Sequence, residues 1–477
     1  MDENIIDPTN SIETFYVRQS IFLTGATGFL GKVYIEKILR SCPDVREVFV
    51  LMRSKKGLSI NERLEKILNL PALVYVSTAF AHVNNVSIEE KVCPPIADWR
   101  KVIKMVETLD EHIINIFTTK CLNNFPNTYI YSKNLAEAII AEYSSSLPCA
   151  IIRPSIGVYG WSGTPCIYRV LKMPPVRDIQ DLRDRITAGC ETVRCTPGIF
   201  ERVRESMRRR VTACTQENVT PSLNDPFPGW IDNFYGMIGI LVGGGKGVIR
   251  VFNAPKHICL DLISVDIVIK IIIITTWKLG LNTFTTDQPF ILNCAAFNKK
   301  KLSLQGIIKM GVQLAEELPF EGVLWTPSTI LTDSSITYYI LTILLHILPA
   351  ILIDLILKFT KYQPMLIRLQ RKIYVANCAL KHFVHHEWKF DHKNGLKLLS
   401  SIPPKDKEMF SFDISNIDIK DYYRNGMIGA KLYLLREDMN RLDAAKTHCK
   451  RVDLFVTTLK IITIIGLPWM IYKWICT

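Results

Sequence analysis

Residues 20–34, SIFLTGATGFLGKVY, limit what this chain can fold into more than any other stretch. A short apolar run, glycines at Gly25, Gly28 and Gly31, and the continuation IEKILRSC read as strand, tight turn and helix. A second apolar run, VREVFVLMR, follows at 45–53 and completes a βαβ unit. Each glycine has a separate task. Gly25 permits the turn, Gly28 lets a pyrophosphate approach N–H groups at a helix N-terminus, and Gly31 lets the helix pack on the strand. Thr24, Thr27 and Phe29 fill out the turn as further cofactor-binding candidates. A purely structural turn is the plainer alternative, and the flanking strand and helix weigh against it.

The end of the second strand carries Arg53, Lys55 and Lys56, where a site for NADH would place an acid against the ribose hydroxyls. Cations there suit a 2′-phosphate, so NADPH is the expected cofactor, with a solvated basic loop as the alternative. Tyr129 and Lys133 stand one helical turn apart in NTYIYSKNLAEAIIAEY, 127–143. A phenol is a poor acid at neutral pH, and an adjacent ammonium lowers its pKa. Tyr129 is then the expected proton donor to a substrate oxygen, Lys133 its activator and a cofactor contact. Thr78 and Ser77, at the end of the apolar run ALVYVSTAF, are the expected hydroxyls on the same oxygen.

Another strand, PCAIIRPSIGVYG at 148–160, continues the alternation, and 1–161 reads as an NAD(P)-binding domain. From 162 to 224 arginine clusters replace the α/β texture, which marks an atypical basic insertion. The alternation returns over 225–330 as the remainder of the α/β region. Ile336 to Ile353 has no formal charge, and 336–357 reads as a hydrophobic membrane segment. A charged, mostly helical module spans 358–450, and the apolar tail 452–477 reads as a membrane anchor. Hydrophobic residues make up 48% of the 477 and mean hydropathy is +0.16, which excludes a disordered chain and agrees with contact to lipid.

The segments FLTGATGFLGKVYIEKILRSCPDVREVFVLMR, VYVSTAF, NTYIYSKNLAE, IIRPSI and PFPGWIDN resemble the alcohol-forming fatty acyl-CoA reductases of insects. HHEWKFD, 385–391, and FDISNIDIKDYY, 412–423, resemble that family's C-terminal domain and are more specific than the glycines. The resemblance implies a Rossmann-type doubly wound parallel sheet of the extended short-chain dehydrogenases, followed by a mostly helical C-terminal domain. It also implies reduction of a long-chain fatty acyl-CoA to the primary alcohol with two NADPH and release of CoA. Two departures stand out. The family carries a βαβ crossover or more where this chain passes from Leu70 to Ala72 across Pro71, so two strands, the third and fourth, including the central strand beside the first, are expected to be missing. The insertion at 162–224 is the other. A catalytically inactive relative therefore stays open, as does another extended short-chain dehydrogenase acting on a sugar nucleotide or sterol.

Other signals weigh little. Lys246 in GGGKG is followed by glycine rather than Ser or Thr, so it is not a P-loop, and no metal site is expected from His382, His385 and His386 or from Cys190 and Cys195. The 58 Lys and Arg against 45 Asp and Glu favour phosphorylated cofactors and anionic lipid, and no groove-reading module points to nucleic acid. The 13 scattered cysteines and the acidic N-terminus, which lacks a secretory signal, place the chain in a reducing compartment. Lys446, Lys450 and Arg451 precede the tail and only Lys473 lies beyond it, so the catalytic domain is expected on the cytosolic side of a peroxisomal or endoplasmic reticulum membrane.

Overall fold

The computed structural model describes residues 11–26, 28–51, 72–82, 87–109, 113–114, 122, 125–144, 148–155, 167–171, 220–232, 234, 236–284, 288–295, 302–415 and 417–476. Two compact units are interleaved along the chain. The first takes Met1–Phe227, Asp261–Lys299 and Trp388–Ile417, and the second Pro228–Leu260, Lys300–Glu387 and Asp418–Thr477. The described strands are β1 Ser20–Thr24, β2 Glu47–Leu51, β3 Ala72–Val76, β4 Ser87–Ile88, β5 Cys149–Pro154, β6 Ile167–Leu171, β7 Val251–Asn253, β8 Phe290–Cys294, β9 Ile330–Thr332 and β10 Lys389–Phe390.

The first unit is built on a six-stranded sheet in the order β2-β1-β6-β3-β5-β8. Every residue of β1, β3 and β5 is buried, as the unbroken apolar runs require of strands covered on both faces. β1 pairs parallel with β2, and β3 with β5 and β5 with β8 likewise. Between these halves lies β6, antiparallel to both neighbours, with Arg169 opposite Phe22 on one side and Leu73 on the other. This differs from the expectation of a vacancy beside the first strand. The filling strand comes from the stretch read as an insertion. The reason is physical: two fully buried strands facing a gap leave rows of N–H and C=O groups unpaired, at roughly 1–3 kcal/mol each. IYRVL, rich in β-branched and aromatic residues, suits a sheet interior.

The helices Phe29–Ser41 and Val265–Gly280 pack together on this unit, and the second also packs on β3 and β5. Val265–Gly280 is buried almost all round, so its charges need partners. Asp266 accepts the backbone N–H groups of Leu223, Asn224 and Asp225 at 2.9, 2.9 and 3.1 Å. Lys270 lies 3.0 Å from Asp225, which also takes Arg40 at 2.6 Å and Lys37 at 3.3 Å. Residues 220–225 are thereby tied to the core, with Thr220 bridging to Ser264.

In the second unit β7 pairs parallel with β9, the helix Ser335–Thr342 packs on both strands and Leu366–Val384 on β7, while Gly236–Gly245, Leu304–Glu317 and Ile419–Gly429 pack on one another. Lys431 and Glu437 form a buried pair at 2.7 Å, with Lys246 3.0 Å from the same carboxylate. Two long helical elements belong here. Ser335–Phe359 runs 25 residues and is long and apolar enough to cross a membrane by length and composition. Leu442–Cys476 is a single helix of 35 residues.

Candidate active site

The glycine turn follows β1 directly. Gly25 has a φ of +74°, a region that side chains bearing a Cβ rarely enter, and its carbonyl accepts the Gly28 N–H at 3.0 Å. Gly28 then caps the helix Phe29–Ser41 in extended conformation. A Cβ on Gly31 would stand 2.5 Å from both the Ala26 Cα and the Gly25 oxygen, so the helix touches the turn where only glycine fits. Thr24 is buried beneath the turn and Phe29 opens the helix. The arrangement opens a tight glycine turn directly onto a helix N-terminus, which fits a dinucleotide pyrophosphate. Thr27 and Arg53, with Lys55 and Lys56, lie outside the described residues.

Ser77 and Thr78 leave the C-terminal end of β3, both buried. The Ser77 N–H extends the pairing by donating to Ile152 O at 2.8 Å, and its hydroxyl is buried without a hydrogen-bond partner among the described residues. Thr78 Oγ1 accepts the Phe80 N–H at 3.2 Å. Tyr129 and Lys133 sit, half-buried, on the helix Thr128–Tyr143, which Asn127 caps by accepting the Ile130 N–H at 3.0 Å. Lys133 Nζ donates to Val76 O at 2.9 Å, one residue before Ser77, and lies 5.9 Å from the centre of the Tyr129 ring. The lysine is thus pinned to the strand end that carries the hydroxyls, beside the phenol.

What fixes this helix against the strand is a buried network that sequence reasoning missed. Glu137, one turn beyond Lys133, takes Arg153 Nε at 3.0 Å and Nη2 at 2.6 Å, and His82 Nε2 stands 2.8 Å from the same carboxylate. Asn134 Nδ2 reaches His82 Nδ1 at 3.1 Å and Ala81 O at 3.1 Å. His82 Nε2 also lies 3.0 Å from Arg153 Nη2, which closes the network. Burial by itself pushes the Glu137 carboxyl up, and the Arg153 charge and the His82 bond outweigh it, holding the carboxyl down at about 2. The only local cue in the sequence is spacing: His82 follows Thr78, and Glu137 follows Lys133, each by four residues.

Residues of the C-terminal region enclose the same strand end. Phe80 packs edge-on against Trp388 and Phe390, with ring centres 5.5 and 5.9 Å apart, and β10 pairs with β4. Asn293 Nδ2 ties the pair together by donating to Ile88 O and Asp391 O. Glu90 accepts the N–H groups of Asn293 at 2.9 Å and Asn394 at 2.6 Å, and burial pushes its carboxyl up to about 7. The specific segment HHEWKFD therefore ends against the loop that follows Thr78.

Two family models match, both described as male sterility protein. The NAD-binding model covers 23–71, 65–170 and 201–272, and the second covers 345–437. The first match is broken near residue 70 and again over 171–200, so family texture reaches through β6 and resumes well before residue 224. Fatty acyl-CoA reductase 1 of Xenopus laevis and of Homo sapiens are each 26% identical to this chain over 525 residues, covering 93% of it and 90% of the relative. Fatty acyl-CoA reductase 2 of Mus musculus is 26% identical, covering 92% and 89%. The aligned length exceeds the 477 residues of this chain, so the relatives carry segments it lacks. Among solved structures, the terminal R domain from the myxalamid PKS-NRPS biosynthetic pathway is 12% identical and covers 87% of this chain and 91% of that one, at a TM-score of 0.32, a likeness too loose to weigh. On its glycine turn, its α/β sheet and these two matches, the chain belongs to the male sterility protein family, with a domain for a nicotinamide cofactor.

Proposed function

We propose that this chain reduces a long-chain fatty acyl-CoA to the primary alcohol, with release of CoA and NADPH as the cofactor. The observation that carries the reading is the pinning of Lys133 to the β3 end, 2.9 Å from Val76 O, with Tyr129 one helical turn away and, on the residue after Val76, a Ser77 hydroxyl that has no hydrogen-bond partner among the described residues. Similarity to fatty acyl-CoA reductases over 93% of the chain supplies the substrate class. NADPH, when bound, supplies the hydride, once to the thioester carbonyl and once more to the retained aldehyde.

The protein's own part is proton management and placement. Lys133 spends one of its three donors on Val76 O and keeps a positive charge beside the Tyr129 ring, which favours release of the phenolic proton. Tyr129 gives that proton to the substrate oxygen, and the Thr78 and Ser77 hydroxyls polarise it. First-turn amides of Phe29–Ser41 hold the pyrophosphate, with Thr24, Gly25, Thr27, Gly28, Phe29 and Gly31 shaping the cradle. Arg53 selects the 2′-phosphate. Exposed apolar residues on Ser335–Phe359 support association with a membrane, with the catalytic unit on the cytosolic side of the endoplasmic reticulum or peroxisome. Turnover of palmitoyl-CoA to hexadecanol by the purified chain, lost in Tyr129→Phe, tests the assignment.

The course of the sheet favours a second reading, a catalytically inactive relative that does not bind the cofactor. β6 runs antiparallel beside β1, and the stretch between β2 and β3 is too short for the family's crossover. Fluorescence of bound NADPH separates the two: no binding by a folded chain rejects the enzyme.

A further inference from the structure

The helix Ser335–Phe359 is apolar on the outside and polar on the inside. Tyr338, Thr342, His346, Ala350 and Asp354, spaced four apart, are all buried. On the opposite face Ile336, Ile340, Leu344, Leu348, Leu352 and Ile356, also four apart, are all exposed, Leu352 by 62%. A four-residue spacing drifts about 40° per step on an α-helix, and the π-helical turn Ile343–Ile347 reduces that drift midway.

The polar stripe is bonded to the backbone of its own unit. His346 Nε2 accepts the N–H groups of Arg250 at 2.9 Å and Val251 at 3.3 Å, at the start of β7. Asp354 accepts those of Met365, Leu366 and Ile367 at 3.0, 2.9 and 2.9 Å and so caps the helix Leu366–Val384. A helix crossing the bilayer alone would carry a carboxylate and an imidazole into hydrocarbon and leave five N–H groups behind. Beyond Asp354 the charges are of one sign: Lys358, Lys361, Arg368, Arg371, Lys372 and Lys381 are exposed, and no acid occurs before Glu387.

We propose that Ser335–Phe359 is not a span but lies in the plane of the membrane, its exposed stripe immersed in one leaflet and the cations of 358–381 on anionic headgroups. The inference rests on the membrane association proposed above and not on the chemistry. The full chain is reconstituted in unilamellar vesicles of phosphatidylcholine with about a third phosphatidylserine. A fluorophore is placed at Leu352→Cys, Asp333→Cys or Gln363→Cys and compared with the labelled unsubstituted chain. Brominated lipid is expected to quench the label at 352, while iodide added outside reaches both 333 and 363. If one flank is reached only after the vesicles are opened, the helix spans and the proposal fails. If lipid leaves 352 unquenched and copies crosslink through it, the face joins two copies and the proposal fails again. Removing phosphatidylserine, or the change R368E/R371E, is expected to lower the quenching at 352 about threefold; no change overturns the headgroup assignment. NADPH binding on the same vesicles reports the catalytic unit independently, so either reading can fail alone.

Discussion

The two halves of the six-stranded sheet are shaped by opposite means. Around β1 and β2 the structure depends on side chains that glycine lacks: Gly25 turns at a φ of +74°, and Gly31 packs so close to the turn that a Cβ would stand 2.5 Å from the Ala26 backbone. Around β3, β5 and β8 it depends on buried charge, with Glu137, Arg153 and His82 locked within 3.0 Å of one another. A glycine turn at a helix N-terminus suits a ligand that brings its own charge, and a charged lock suits a helix whose outward side chains must stay in register with a strand end. Within the sheet the halves meet through β6, so each can be perturbed separately.

The largest expected effect comes from breaking that junction. Long surface insertions cost little entropy, and read as an insertion 162–224 would be dispensable. With β6 paired along both β1 and β3, its deletion exposes two buried strand edges. Deleting 162–224 is expected to abolish the cooperative thermal transition and NADPH binding together. A deleted chain that melts like the parent would show that the halves hold each other without β6.

Next is the chemistry of the charged half. Tyr129→Phe removes the proton donor and keeps the ring, and should lower alcohol formation by about 10²–10⁴-fold with NADPH affinity unchanged. Retention of more than about a tenth of the turnover, under roughly 1.4 kcal/mol, assigns the proton to another group.

How much of this was legible in the sequence follows the same division. The turn lies within one continuous stretch, so three glycines between an apolar run and a helix were enough to place it. The Tyr129 and Lys133 pair, four apart on one helix, was equally local. The lock was not, because Arg153 and His82 are 71 residues apart and meet Glu137 only once the sheet has formed. β6 was hidden for another reason: strand propensity in IYRVL carries no address, and its partners were set by which edges stood empty. The interleaving of Trp388–Ile417 into the first unit was also invisible, since nothing local in HHEWKFD names β4 as its partner.

Smaller in its effect on turnover, the lock itself is tested by stability. Arg153→Met leaves Glu137 buried without its main countercharge and should cost about 3–5 kcal/mol, much of it recovered when Glu137→Leu is added. The pH dependence sharpens this. Glu137 is held at about 2 in the folded chain, below its ordinary 4.5, so its contribution is present above the unfolded value and is lost as pH falls from about 4.5 towards 2. Denaturant midpoints measured across that window should fall steeply for the parent and less for the double variant. Equal slopes would place the acid sensitivity elsewhere.

The smallest effect belongs to the glycine half, where discrimination between cofactors rests on a single charge. Arg53 follows β2 by two residues in the sequence, and its proposed partner is the 2′-phosphate. A guanidinium gains a charge-assisted bond only from NADPH, so Arg53→Ala should weaken NADPH by about tenfold and leave NADH almost unchanged. Titration of both cofactors by fluorescence reads the difference without any turnover. Equal losses would make Arg53 a structural residue and return the choice of cofactor to Lys55 and Lys56. A stronger loss for NADH would instead show that the ribose hydroxyls are held by a group still unassigned, and that the two halves share the work of cofactor selection.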